Sequence, residues 1–177
     1  MQSRIAPAEA PWSPIVEKRL ATLPHLLLFR VLARDDRLFA RFMDGGLLDR
    51  GHLSLREREL TILTVCARNG SDYEWGVHVQ LLAEAVGFTA AEIAATGAPF
   101  DTGIWRGRDA LIIRLCDALQ ASSELEEDFW AELRAEFSEM ALLELLLVIG
   151  KYRQVCILTN ALRLEPEAGT PALPRPG

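Results

Sequence analysis

Apolar residues recur every three or four positions along most of the chain, and no stretch alternates apolar with polar residues as a half-buried strand requires. The pattern predicts an all-α protein, a single compact helical domain of about seven or eight helices. Helix ends are marked by capping residues. Ser13-Pro14 opens a short helix that Pro24 ends, and the run from His25 to Asp44 is helical with a break near Asp35-Asp36 and a stop at Gly45-Gly46. Ser54-x-x-Glu57, Ser71-x-x-Glu74, Thr89-x-x-Glu92 and Ser123-x-x-Glu126 have the form of capping boxes, and the first two helices stop at Asn69-Gly70 and Gly87. A helix from Trp105 to Gln120 is expected between the last two boxes, and Ser138 opens the longest one, running to Leu164. Residues 1–12 read as a loosely ordered arm, 13–166 as the helical domain, and the Pro/Gly-rich stretch 167–177 as a disordered tail.

Three polar residues interrupt this pattern. Leu55, Glu59, Ile62 and Cys66 share one helical face, and Glu74, His78, Leu81, Leu82 and Ala85 share another on the next helix. The short Asn69-Gly70 turn brings the two faces together, so Glu59 is expected to face His78. A carboxylate on an apolar stripe needs a partner, and a carboxylate beside an imidazole fixes its tautomer and raises its pKa, as general acid–base catalysis requires. The structural alternative stays open: a lone helical histidine is often a satisfied core residue, and Glu74 has a capping role to fill. Glu-x-x-x-His is half of a carboxylate–histidine metal motif, but His25 and His52 lie in other segments, so no metal site is expected.

Composition narrows the partners. The 177 residues are 50% hydrophobic, enough for one packed core. With 19 basic and 25 acidic side chains the net charge is -6, which argues against a nucleic-acid surface. The N-terminus lacks an apolar core of signal-peptide length, and the most apolar run, Ala141 to Ile149, ends at Gly150-Lys151, too short for a membrane span. Cys66, Cys116 and Cys156 each fall inside an apolar helical pattern, which points to buried thiols in a cytoplasmic protein.

Glu57-Arg58-Glu59-Leu60-Thr61-Ile62-Leu63, Tyr73-Glu74-Trp75-x-x-His78 and Ala85-Val86-Gly87-Phe88 together resemble the carboxymuconolactone decarboxylase family, which includes the alkyl hydroperoxidase D branch. Gly150-Lys151-Tyr152 and Asn160-Ala161-Leu162 are similar to that family's closing helix. The resemblance implies a small all-α protein assembling as a trimer or hexamer, with its site between paired helices. In the hydroperoxidase branch a glutamate precedes a Cys-x-x-Cys pair and a histidine; here those positions hold Glu59, Ser71, Glu74 and His78. The thiols that peroxide reduction needs are missing from them. What remains resembles the decarboxylase proper, which uses neither metal nor organic cofactor. On that resemblance His78 is the expected proton donor, Glu59 its orienting partner and Glu74 a substrate contact, with Tyr73 and Trp75 as pocket walls. Arg58 and Arg153 are candidates to hold a substrate carboxylate. The expectation is thus a cofactor-independent acid–base enzyme acting on a small carboxylated or lactone-type metabolite. The alternatives are a non-catalytic oligomeric binding protein with a structural Glu–His pair and, third, a peroxidase.

Overall fold

The computed structural model describes residues 3–100 and 103–174. Among the described residues there are nine α-helices and no strand: α1 (Pro14–Leu20), α2 (Leu27–Leu32), α3 (Asp36–Asp44), α4 (Leu55–Arg68), α5 (Asp72–Val86), α6 (Ala90–Thr96), α7 (Gly107–Ala121), α8 (Glu127–Glu136) and α9 (Glu139–Leu162). The expected break near Asp35-Asp36 divides one run into α2 and α3. Asp35 caps α3, its carboxylate accepting from Leu38 N at 2.7 Å.

The centre of the molecule is α4, which packs on α5, α7 and α9. Every residue from Glu59 to Cys66 is buried, so this helix has no solvent face in its middle. Leu60, Ile62 and Leu63 meet Ile112 and Leu115 of α7 and Leu142, Leu145 and Val148 of α9 in one continuous core. Each such side chain contributes about 1.5–3 kcal/mol by leaving water. Two glycines set the turns around this core. Gly70, with φ 61°, lets Ser71 N reach back to Cys66 O at 2.9 Å, and Gly87, with φ 77°, does the same for Phe88 N and Ala83 O at 3.1 Å.

Capping follows the sequence in part. The Ser54/Glu57 and Thr89/Glu92 boxes are both complete. The box at Ser123 does not form: α8 starts at Glu127, with Glu126 as an N-cap that makes no side-chain bond.

Both ends of the chain are also more structured than their composition implies. Arg4 N donates to Leu162 O and Ala8 N to Arg30 O, tying the arm to α9 and α2. Residues 167–174 run along α5 and α6: Glu167 accepts from Tyr73 Oη and Leu27 N, and Leu173 N donates to Asp72 Oδ1 at 2.9 Å. The tail docks through the Glu167 carboxylate and the Leu173 N–H, polar contacts that hydropathy does not register, and it comes close because Gly76 has no side chain. A Cβ there would lie 2.6 Å from Pro171 O. Residues 175–177 of the expected disordered tail lie outside the described residues.

Candidate active site

The α4–α5 pair builds the site. Both helices are buried all round where they meet, and the tight Asn69-Gly70-Ser71 link holds Glu59 of α4 against His78 of α5. His78 Nδ1 donates to Glu59 Oε2 at 2.7 Å, and both side chains are almost wholly buried. The second ring nitrogen, Nε2, lies 3.4 Å from Glu74 Oε1, one helical turn back. Burial alone pushes the imidazole pKa down, but hydrogen bonds and negative charge from Glu59 and Glu74 outweigh it and lift His78 from 6.5 to about 9. At neutral pH the ring is therefore an imidazolium that donates to Glu59 and lies within ion-pair distance of Glu74.

Glu74 does not close the expected capping box. Ser71 Oγ accepts from Glu74 N, but the Glu74 carboxylate turns inward to His78 and away from the Ser71 backbone. The charge on His78 attracts it more than a neutral N–H can. Its other oxygen, Oε2, is buried and has no hydrogen-bond partner among the described residues. Buried carboxylate oxygens are normally satisfied, so this one is the most anomalous polar atom of the site.

Glu74 and His78 line a cavity of about 600 Å³ enclosed by α2, α3, α5, α9 and the loop after α3. Its walls are mostly apolar, among them Leu28, Phe29, Phe42, Val77, Leu81 and Val155. Tyr152 also lines it and sets its ring edge-on to His78, centroids 5.2 Å apart. Glu59 stands behind His78, outside the cavity wall.

The remaining expected site residues lie elsewhere. Arg58 Nε is 3.3 Å from Glu59 Oε1 and its Nη1 donates to Asp49 O, so it balances Glu59 from behind and is not a wall residue. Arg153 points to the opposite side of α9, donating to Leu119 O at 3.0 Å. Trp75 is buried in the core with Nε1 donating to Thr96 Oγ1, and Tyr73 accepts from Leu28 N and donates to Glu167. These two aromatics face the core and the tail because α5 turns its Glu74, Val77, His78, Leu81 and Leu82 face to the cavity.

Arg19, paired with Asp44, reaches the cavity, and so does Lys151, whose Nζ donates to Phe42 O at 2.7 Å and sits over the Phe42 ring. Burial lowers its pKa, and the Glu74 charge works in the opposite direction. Its signal in the sequence was a lysine closing the most apolar run of the chain. Only the packing of α9 against α3 shows that it turns toward the cavity.

The thiols are poorly placed for redox work. All three cysteines are buried. Burial raises the Cys66 thiol well above its ordinary value, and the nearby Cys156 thiol and the Glu74 and Glu59 charges push it further. Burial also raises Cys116.

Residues 36–99, which include Glu59, Glu74 and His78, match the model of the carboxymuconolactone decarboxylase family. Over that segment, about a third of its length, the chain is similar to the carboxymuconolactone decarboxylase family. An uncharacterized peroxidase-related protein from Silicibacter sp. TM1040 has a similar structure, with a TM-score of 0.75, 18% identity and 96% of both chains covered. A protein of unknown function from Agrobacterium tumefaciens, described as a candidate antioxidant defence protein AhpD, superposes with a TM-score of 0.67 at 18% identity over 76% of this chain and 94% of its own. At that identity the likeness establishes a shared all-helical fold. No curated protein matches the chain.

Proposed function

We propose that this protein is a cofactor-independent acid–base enzyme acting on a small carboxylated or lactone-type metabolite, with decarboxylation as its reaction. The reading is carried by Glu74 Oε2, a buried carboxylate oxygen without a partner, set beside an imidazolium in the wall of an apolar cavity. Catalysis by proton transfer calls for such a pairing of a charged donor and an open acceptor in a water-poor site.

The steps follow from the residues. The bond between substrate carbon and its carboxylate breaks, carbon dioxide leaves, and the electron pair passes into the adjoining lactone carbonyl system. His78 then gives its proton to carbon, and the neutral ring regains a proton from solvent. Glu59 holds the ring in place through Nδ1 and favours its recharging. Glu74 Oε2 accepts a hydrogen bond from the substrate.

The test uses a panel of carboxylated lactones in deuterium oxide, following carbon dioxide release and deuterium incorporation at carbon. Wild-type protein is expected to do both, and H78A neither. Absence of both across the panel, or full activity in H78A, overturns the reading. Engagement of both ring nitrogens of His78 favours a second reading, an oligomeric binding protein with a structural Glu–His pair; in that case substrate analogues bind and none is turned over.

Thiol-dependent peroxidase activity is not expected, because Ser71 and Glu74 stand where the redox pair would be and the thiols present are buried and hard to ionise. Hydroperoxide consumption with a dithiol reductant, lost on C66S, would contradict this. A homo-oligomer is proposed as well, a trimer or hexamer, supported by Met140, Leu143, Leu147 and Ile157, which expose large apolar area along α9. Among the described residues no helix is long and apolar enough to cross a membrane.

A further inference from the structure

Two opposite deficits meet in one cavity. Lys151 is a half-buried ammonium with no carboxylate within ion-pair distance among the described residues; its Nζ has a backbone carbonyl and an aromatic ring. Glu74 Oε2 is a buried acceptor with no donor. The other charges lining the cavity are better provided for. Arg19 pairs with Asp44 at the rim, His78 has a carboxylate near each nitrogen, and the Asp49 side chain is exposed to water. Leu28, Phe29 and Leu81 line the same cavity.

Burying an ammonium without a counter-ion, or a carboxylate oxygen without a donor, costs free energy that only a complementary ligand or water can recover. The cavity volume, about 600 Å³, is that of a small-molecule site. Taking the acid–base reading of this site as given, we infer that Lys151 and Glu74 are its two specificity-determining residues, and that its ligands are amphipathic hydroxy acids. An anionic group that the reaction leaves intact lies at Lys151, the hydroxyl donates to Glu74 Oε2, and the apolar body of the ligand packs on the cavity walls. Lys151 thereby takes the role that the sequence suggested for Arg58 or Arg153, and its position on α9, with Glu74 on α5, fixes the orientation of the ligand.

The proposal discriminates among simple probes without any turnover. Calorimetric titration of the wild-type protein with 3-(4-hydroxyphenyl)propionate, with 3-phenylpropionate and with 3-(4-hydroxyphenyl)propionamide compares the full ligand with one lacking the hydroxyl and one lacking the charge. The hydroxy acid is expected to bind about tenfold tighter than either. K151M keeps the aliphatic stem and should lose about tenfold for both acids while leaving the amide unchanged. E74Q should lose the preference for the hydroxyl and keep the preference for charge. Equal binding of the three probes by wild type, binding of none, or an unchanged acid preference in K151M overturns the inference. Because wild type alone decides the first comparison, a variant that fails to fold does not block the result. The acid–base reading fails separately, if these probes discriminate as described and no proton transfer to any substrate depends on His78.

Discussion

Two charged clusters grow from α4 one turn apart, and they do different work. Arg56 donates to Asp109 Oδ2 at 2.8 and 3.1 Å, pairs with Glu92, and lies 4.7 Å over the Phe88 ring. Glu92 in turn accepts from Thr89 N and Oγ1. Each of these groups is satisfied, partly wet, and far from the cavity; the cluster bolts α4 to α6 and α7. Glu59, three residues on, belongs to a cluster of the same chemical types that is dry, opens on a cavity through His78 and Glu74, and leaves one oxygen unmatched. Residue type does not separate a structural network from a reactive one. Burial, a neighbouring cavity and incomplete satisfaction do.

The largest effect should come from removing the proton donor. H78A is expected to lower turnover of an accepted substrate by roughly 10²–10⁴-fold, whereas R56M should leave it unchanged. A comparable loss in R56M would erase the distinction between the clusters. Next in size is stability. E59A removes one partner of a buried pair and should cost about 3 kcal/mol or more, against about 1 kcal/mol or less for R56M, by denaturant unfolding. Equal costs would mean that the two clusters are energetically alike.

A smaller effect is expected at the tail. Alanine normally favours a helix interior over glycine by about 1 kcal/mol. In G76A the new methyl meets Pro171 O, so the tail should detach and be cut by protease, with no gain in stability. The smallest is a pH effect. His78 is raised from 6.5 to about 9, so its contribution to stability is complete below pH 6.5 and fades as pH rises through 9. Melting curves at pH 6 and pH 10 should differ more for wild type than for H78A.

How much of this could be read in the chain varies with the physics involved. Helix periodicity and the boxes at Ser54 and Thr89 are local, and they place α4, α5 and α6 correctly. Glu59 and His78 stand out because each interrupts an apolar stripe and the Asn69-Gly70 turn is short enough to bring those stripes together. The direction of the Glu74 side chain was not legible: its sequence fits a cap, and only a competing charge draws it inward. Nor was Lys151, since the cavity arises where α2, α3, α5 and α9 converge, and long-range packing has no local signature. The tail misleads for a similar reason. Proline and glycine imply disorder, yet here they supply backbone carbonyls that dock on the bare surface of Gly76.

The most direct test of the account is the ionisation of His78, followed by NMR of the imidazole ring carbons in wild type and E59Q. The account predicts a wild-type midpoint near 9, with a fall in E59Q as burial regains the upper hand. A wild-type midpoint at or below 6.5, or one unmoved by E59Q, would show a neutral histidine uncoupled from Glu59 and would contradict the acid–base site.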